Sequence, residues 1–310
     1  MPSRSALRPL LRFVKLQLAS SQPQRYFSST VLKAESPSQP TNHERTTHFG
    51  FETVAEAEKE ARVAGVFSNV ASSYDTMNDF MSLGIHRLWK DHFVRSINPG
   101  ISSTSPSTGW KMLDIAGGTG DIAFRLLDHC TNINNSPQST ITISDINPSM
   151  LAEGQKRSLQ TSYANSPRLD FLVANAEHLD TVPSNSVDLY TVAFGIRNFT
   201  NKEQALREAY RVLKPGGLFA CLEFSGVTNP LLDAMYKRWS FGVIPLIGQL
   251  VAADRASYQY LVESIEKFPK QQQFRDMIRD AGFMVPGKGW EDLTGGIAAI
   301  HKGIKPVEKS

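Results

Sequence analysis

The stretch Lys111-Met112-Leu113-Asp114-Ile115-Ala116-Gly117-Gly118-Thr119-Gly120-Asp121 decides how the rest of the chain is read. Lys111–Ala116 is apolar enough to predict a buried strand, and a helical pattern, Asp121–Cys130, begins directly after the last glycine. The glycines between them let the backbone turn sharply and come close to a ligand. The helix that follows turns its free N–H groups toward the same spot. Strand, glycine loop and helix in this order predict a cofactor loop at the carboxyl edge of a parallel sheet.

Working outward, the same alternation continues. Thr140–Asp145, Leu169–Ala174, Val187–Ala193 and Gly217–Phe224 predict further strands, with helices at Pro148–Gln160 and Lys202–Leu213 between them. The C-terminal end differs. A helix near Lys270–Ala281 leads to two short strands around Phe283–Val285 and Ile297–Gly303, expected to form a closing hairpin. Upstream, a helical pattern begins at Thr53 and runs through Val63, Val66, Phe67 and Val70. A second passes Leu88, Trp89, Phe93 and Val94 and ends at Ile97, before Asn98-Pro99-Gly100. The expected organisation is a linker over 28–52, a helical cover over 53–100, an α/β domain over 110–304 with an apolar insertion near 230–265, and a tail at 305–310.

The chain has 310 residues, 41% of them hydrophobic, enough to bury a full core. Its two cysteines, Cys130 and Cys221, make no disulfide framework and are expected as buried thiols. His86 and His92 lie on poorly matched helical faces, so no metal-ligand set is visible. No acidic residue precedes Glu35. Arg8, Arg12 and Lys15 share one helical face, with Leu7, Leu11, Val14 and Leu18 on the other. This predicts a mitochondrial transit peptide over 1–27, cut near Arg25-Tyr26-Phe27-Ser28. Without it the formal charge of +3 becomes −2, which excludes a globally basic nucleic-acid footprint. The longest uncharged apolar run, Trp239 to Ala253, is 15 residues long and interrupted by Pro245, where a membrane span needs roughly 20.

Two cofactors fit the glycine loop. Gly118, Gly120 and Ala123 satisfy the dinucleotide fingerprint, and Asp145 at the end of the second strand can hold two ribose hydroxyls of either NAD or S-adenosylmethionine. Elsewhere, Ala174-Asn175-Ala176-Glu177 places an amide and a backbone N–H where an adenine edge could be read, and Lys214-Pro215-Gly216-Gly217 leads into the fifth strand. That combination resembles class I S-adenosylmethionine-dependent methyltransferases, Rossmann-like α/β proteins whose seven-stranded sheet ends in an antiparallel strand.

The resemblance narrows with Ser72-Ser73-Tyr74-Asp75, Gly84-Ile85-His86-Arg87-Leu88-Trp89-Lys90, Phe194-Gly195-Ile196-Arg197-Asn198, Leu222-Glu223-Phe224-Ser225 and Ser257-Tyr258-Gln259-Tyr260-Leu261-Val262-Glu263-Ser264-Ile265. Together these runs are similar to the UbiE-type ubiquinone and menaquinone C-methyltransferases, over roughly Val66 to Gly303. Ala116 stands where many methyltransferases carry the first glycine of the loop. The resemblance implies that Gly117, Gly118, Thr119 and Gly120 cradle the amino-acid end of S-adenosylmethionine. It assigns the ribose to Asp145 and the adenine to Asn175 with Ala176. It also implies C-methylation of a 2-methoxy-6-polyprenyl-1,4-benzoquinol ring in ubiquinone synthesis, without a metal. The partners it implies are a multisubunit ubiquinone-synthesis complex and a peripheral contact with the matrix side of the mitochondrial inner membrane; it leaves room for a homodimer.

Methylating a ring carbon needs electron density there, and deprotonating a neighbouring hydroxyl supplies it. A fixed positive charge nearby favours the phenolate. Arg197, just past the fourth strand on the carboxyl edge, is the leading candidate, acting through charge because a guanidinium does not give up its proton. Asn198 and Tyr74 are expected to complete its hydrogen-bond network. The apolar run Phe241–Val251 reads equally as core or as a lid for a lipid tail.

Overall fold

The computed structural model describes residues 46–70, 78–79, 82–100, 109–246, 249 and 255–307. The expected transit peptide, Tyr74 and most of the 28–52 linker lie outside the described residues. The linker's last residues do not match the expectation: Thr46–Phe49 (β1) and Glu52–Ala55 (β2) form an antiparallel hairpin. Gly50 makes its turn at φ +57. The hairpin is held from outside, where Phe49 stacks on Tyr260 at 4.1 Å and the Phe51 N–H donates to Glu263 Oε2 at 3.0 Å. The helix expected from Thr53 therefore starts at Glu56 and runs to Val70 (α1). The second helix, His86–Ile97 (α2), ends at Asn98 in a left-handed conformation, as the Asn-Pro-Gly run predicts.

The main sheet is built from Lys111–Ile115 (β3), Thr140–Asp145 (β4), Leu169–Val173 (β5), Val187–Ala193 (β6), Leu213–Phe224 (β7), Trp290–Leu293 (β8) and Ala298–Ile304 (β9). Their order is β5-β4-β3-β6-β7-β9-β8, parallel through β7, with β9 antiparallel to both of its neighbours. The connecting helices are Asp121–Asn132 (α3), Pro148–Ser158 (α4) and Lys202–Val212 (α5), followed by Pro230–Gly242 (α6), Arg255–Lys267 (α7) and Gln271–Asp280 (α8). Local chemistry starts several of them. Asn147, Asn201 and Asn229 each cap a helix by accepting backbone N–H groups, and Pro148 and Pro230 occupy the first helical positions.

Two differences concern the C-terminal half. Strand β7 begins at Leu213 instead of Gly217, because Leu213 pairs with Val187 before a register shift carries the Pro-Gly-Gly segment around. The closing hairpin uses Trp290–Leu293, not Phe283–Val285. Phe283 is instead buried against Tyr210 and Phe219, and its segment contributes one bridge, Met284 to Ile304.

Strand alternation divides the core into two layers. Met112, Ile141, Leu189, Ala220 and Leu222 face α2 and α3, while Leu113, Tyr190, Val192, Phe219 and Cys221 face α5 and α8. Both cysteines are buried free thiols. The insertion near 230–265 contains α6 and α7, and Ile244, Tyr258, Tyr260 and Leu261 join the first core layer. Among the described residues no helix is long and apolar enough to cross a membrane.

Candidate active site

From β3 the chain moves outward to β4 and β5, then returns to β6 on the other side of β3. The connections after β3 and β6 therefore leave in opposite directions, opening a crevice at the carboxyl edge where open α/β sheets bind ligands. Both strands end in left-handed non-glycine residues, Ala116 (φ +51) and Phe194 (φ +56), a conformation that costs about 1–3 kcal/mol each and clusters at functional sites. Gly195 lets the two ends meet, since a Cβ there would lie 2.5 Å from the Ala116 Cβ.

The crevice has about 770 Å³ of empty volume, its mouth included. Its floor is formed by Ile115, Ala116, Asp145, Ala176 and Asn198, and α1 supplies the opposite wall through Glu60, Val63, Ala64 and Phe67. A second recess adjoins it around Gly117, Gly118 and Thr119.

Asp145 ends β4 and is 9% exposed. Burial pushes its pKa up to about 6, while hydrogen bonds from the N–H groups of Asn147 (2.9 Å), Gly118 and Ile146 oppose the shift. Asp114 is more deeply buried and has a pKa near 7 for the same reason. Its Oδ1 accepts from the Thr191 hydroxyl at 2.6 Å, and its Oδ2 has no partner. Any side chain at Gly118 would fill the space in front of Asp145, with a Cβ 2.9 Å from Met150 and 3.3 Å from Asp145 Oδ2. An open glycine cradle, a buried carboxylate at the crevice floor and an unsatisfied carboxylate oxygen beneath the loop fit a nucleoside bearing an amino-acid end. Ala176 is buried on the floor. Asn175 also lines the crevice, but its side chain is engaged: Oδ1 accepts the Glu177 N–H at 2.9 Å and Nδ2 reaches Glu60 at 3.4 Å.

Arg197 stands apart from the other candidates. It sits in a 3-10 turn, Ile196–Asn198, and is absent from the crevice lining. Its side chain has no solvent exposure. Nη1 donates to Glu223 Oε1 at 2.9 Å and to the Phe194 carbonyl at 2.5 Å, and Nε donates to Ser264 Oγ at 3.3 Å. A free charge facing a ligand, as expected from the sequence, is not what this geometry provides: the neighbouring strand's glutamate neutralises it. Asn198 does line the crevice. Its Oδ1 accepts from the Tyr260 hydroxyl at 3.0 Å, and its Nδ2 is buried without a partner. Burial raises the Tyr260 pKa well above its ordinary value, partly countered by Arg197, so Tyr260 stays a neutral donor.

The sequence reading missed Glu223, Tyr260 and Ser264 as site residues, although all three lie in the runs that carry the resemblance. It also missed two buried lysines. Lys59 and Lys202 both donate to the Phe199 carbonyl at 3.0 Å, bracing the segment after Asn198. His86 is buried against Asp79 at 2.8 Å at the start of α2, away from the crevice lining. Among the described residues no three His, Cys, Asp or Glu side chains are placed to share a metal ion.

Comparison with known proteins agrees with this architecture. Residues 55–305 match the ubiE/COQ5 methyltransferase family. The mitochondrial 2-methoxy-6-polyprenyl-1,4-benzoquinol methylase of Schizosaccharomyces pombe is 56% identical over 260 residues, 84% of either chain. The methylase of the same name from Dictyostelium discoideum is 47% identical over 96% of this chain and 99% of its own. The ubiquinone/menaquinone biosynthesis C-methyltransferase UbiE of Cereibacter sphaeroides is 52% identical, over 84% of this chain and 97% of its own. A solved complex of a Haloferax volcanii methyltransferase with its Trm112 activator shares the fold at 16% identity and a TM-score of 0.51, covering 78% of this chain and 98% of that one. With family, identity and sheet order in agreement, the chain belongs to the ubiE/COQ5 methyltransferase family.

Proposed function

We propose that this protein methylates a ring carbon of a 2-methoxy-6-polyprenyl-1,4-benzoquinol with S-adenosylmethionine, a step of ubiquinone synthesis. The observation that carries the reading is Asn198, a lining residue of a crevice fit for the cofactor whose Nδ2 donor is buried without a partner. When bound, the cofactor supplies an electrophilic methyl group on a sulfonium. Gly117, Gly118, Thr119 and Gly120 cradle its amino-acid end. Asp145 accepts from the ribose hydroxyls, and Ala176 with the Asn175 segment borders the adenine.

A quinol hydroxyl has a pKa near 10 in water, so activating the ring carbon requires help in moving the proton and holding the charge. Because Tyr260 occupies Asn198 Oδ1, the amide's donor end is the one left for the quinol oxygen. A donor placed where negative charge develops, in a site closed to water, lowers the barrier. Arg197 acts one step back. Its bonds to the Phe194 carbonyl and to Glu223 tie the turn that carries Asn198 to the end of β6 and to β7, which makes it a positioning residue. Tyr74 is proposed to complete the network on its sequence motif alone.

The cellular setting is proposed to be the mitochondrion, on the matrix side of the inner membrane, in a multisubunit ubiquinone-synthesis complex. Peripheral membrane contact is supported by Leu231, Met235 and Leu246, which are exposed on and just after α6. Incubating the purified protein with S-adenosylmethionine and a short-tailed, reduced 2-methoxybenzoquinone tests the reaction. Mass spectrometry and proton NMR should find one added methyl group on ring carbon. No addition, or methylation on oxygen, overturns the proposal.

A further inference from the structure

The recess around Gly117–Thr119 contains a charge that neither the glycine loop nor the proposed chemistry uses. Lys90 reaches it from α2, whose buried face is otherwise built from His86, Trp89, Phe93, Val94 and Ile97. The Lys90 side chain is only 4% exposed, and a buried ammonium is costly unless an anion meets it. Its Nζ donates to Asp121 Oδ2 at 2.7 Å. The other oxygen of Asp121 accepts from Arg125 Nε at 2.8 Å, and Arg125 also pairs through Nη1 with Asp91. The bond to Asp121 takes one of the three protons an ammonium can donate, and Lys90 lines the recess beside Gly117, Gly118 and Thr119. Asp114, on the same recess, carries the unpartnered Oδ2. One ammonium facing carboxylates around a glycine cradle is the complement of a zwitterion.

We propose that Lys90 binds the α-carboxylate of the methyl donor's amino-acid end. The assignment rests on S-adenosylmethionine being the cofactor. It makes α2 part of the cofactor site and gives the Trp89-Lys90 pair two separate tasks, with Trp89 in the core and Lys90 at the ligand.

The test is calorimetric and needs no turnover. Two ligands are titrated, S-adenosylhomocysteine and its decarboxylated analogue, which keeps the ammonium and lacks the carboxylate. The readout is the ratio of their affinities. The full-length protein should prefer S-adenosylhomocysteine, and Lys90→Met should cut that preference by about 10- to 100-fold, as for loss of a hydrogen bond between charged groups. Asp121→Asn removes Lys90's partner inside the chain but should keep the preference. Lys90→Gln, which retains a polar donor, provides the same measurement if the methionine variant folds poorly. An unchanged ratio in both Lys90 variants overturns the assignment, as does an equal fall in Asp121→Asn, which would mark the pair as a mere tie between α2 and α3. A wild-type protein that binds both ligands equally well overturns Lys90 alone, whereas one that binds neither overturns the cofactor reading beneath it.

Discussion

Replacing Arg197 with methionine separates positioning from direct contact, and the structure sets the size of the effect. The side chains of Arg197 and Glu223 are 0% and 1% exposed and lie 2.9 Å apart. Removing one partner of a buried ion pair costs about 3–5 kcal/mol, because the other is left charged in an apolar setting or must take up a proton. For a domain of this size, with about 2–4 °C lost per kcal/mol, the Tm of Arg197→Met should fall by roughly 6–20 °C. The loss should depend on pH. Burial raises the Glu223 pKa and Arg197 holds it down, so the methionine variant leaves it raised further above its unfolded value. The folded variant then binds more protons than the unfolded chain, and its stability declines as pH rises through that window. Deletion of both charges, Arg197→Met with Glu223→Leu, should recover much of the stability, while methyl transfer stays low because the turn carrying Asn198 has lost its ties. Thermal unfolding followed by circular dichroism from pH 5 to pH 8, paired with a methyl-transfer assay, measures both sides. A methionine variant with wild-type Tm at every pH, or a double variant with wild-type turnover, would refute this reasoning.

Two further outcomes depend on pH. Asp145 has a pKa of about 6 in the free protein, so cofactor affinity should fall by up to tenfold per pH unit below that value as the ribose acceptor is protonated; calorimetry from pH 5 to pH 8 checks this, and a profile flat below pH 6 places the ribose contact elsewhere. Burial, helped by the charge of Lys59, lowers the Lys202 pKa to about 7, so between there and its unfolded value of 10.5 the folded chain holds fewer protons and stability rises with pH. Lys202→Met should flatten that rise in denaturant midpoints measured from pH 7 to pH 9.5, and an unaltered slope would assign it to other groups.

The sequence by itself determined the strand–glycine loop–helix unit, the alternation that builds the parallel sheet, the position of Asp145 at a strand end and the family. These are local properties: periodicity, glycine and proline at turns and asparagine caps all act over a few residues. Tertiary structure decided what each charge does. Arg197 and Glu223 are 26 residues apart and meet only because β6 and β7 pair side by side, with Ala193 opposite Leu222. Tyr260 reaches Asn198 across 62 residues because α7 packs over the turn, and that bond alone determines which end of the amide is left for a ligand. The same holds for secondary structure at both ends of the chain. Glu52–Ala55 became a strand once Phe49 found Tyr260, and Phe283 left the closing hairpin for the core. Burial converts such distant meetings into energy, since an unpaired charge or donor costs far more inside the protein than in water, and no local pattern records which partner will arrive.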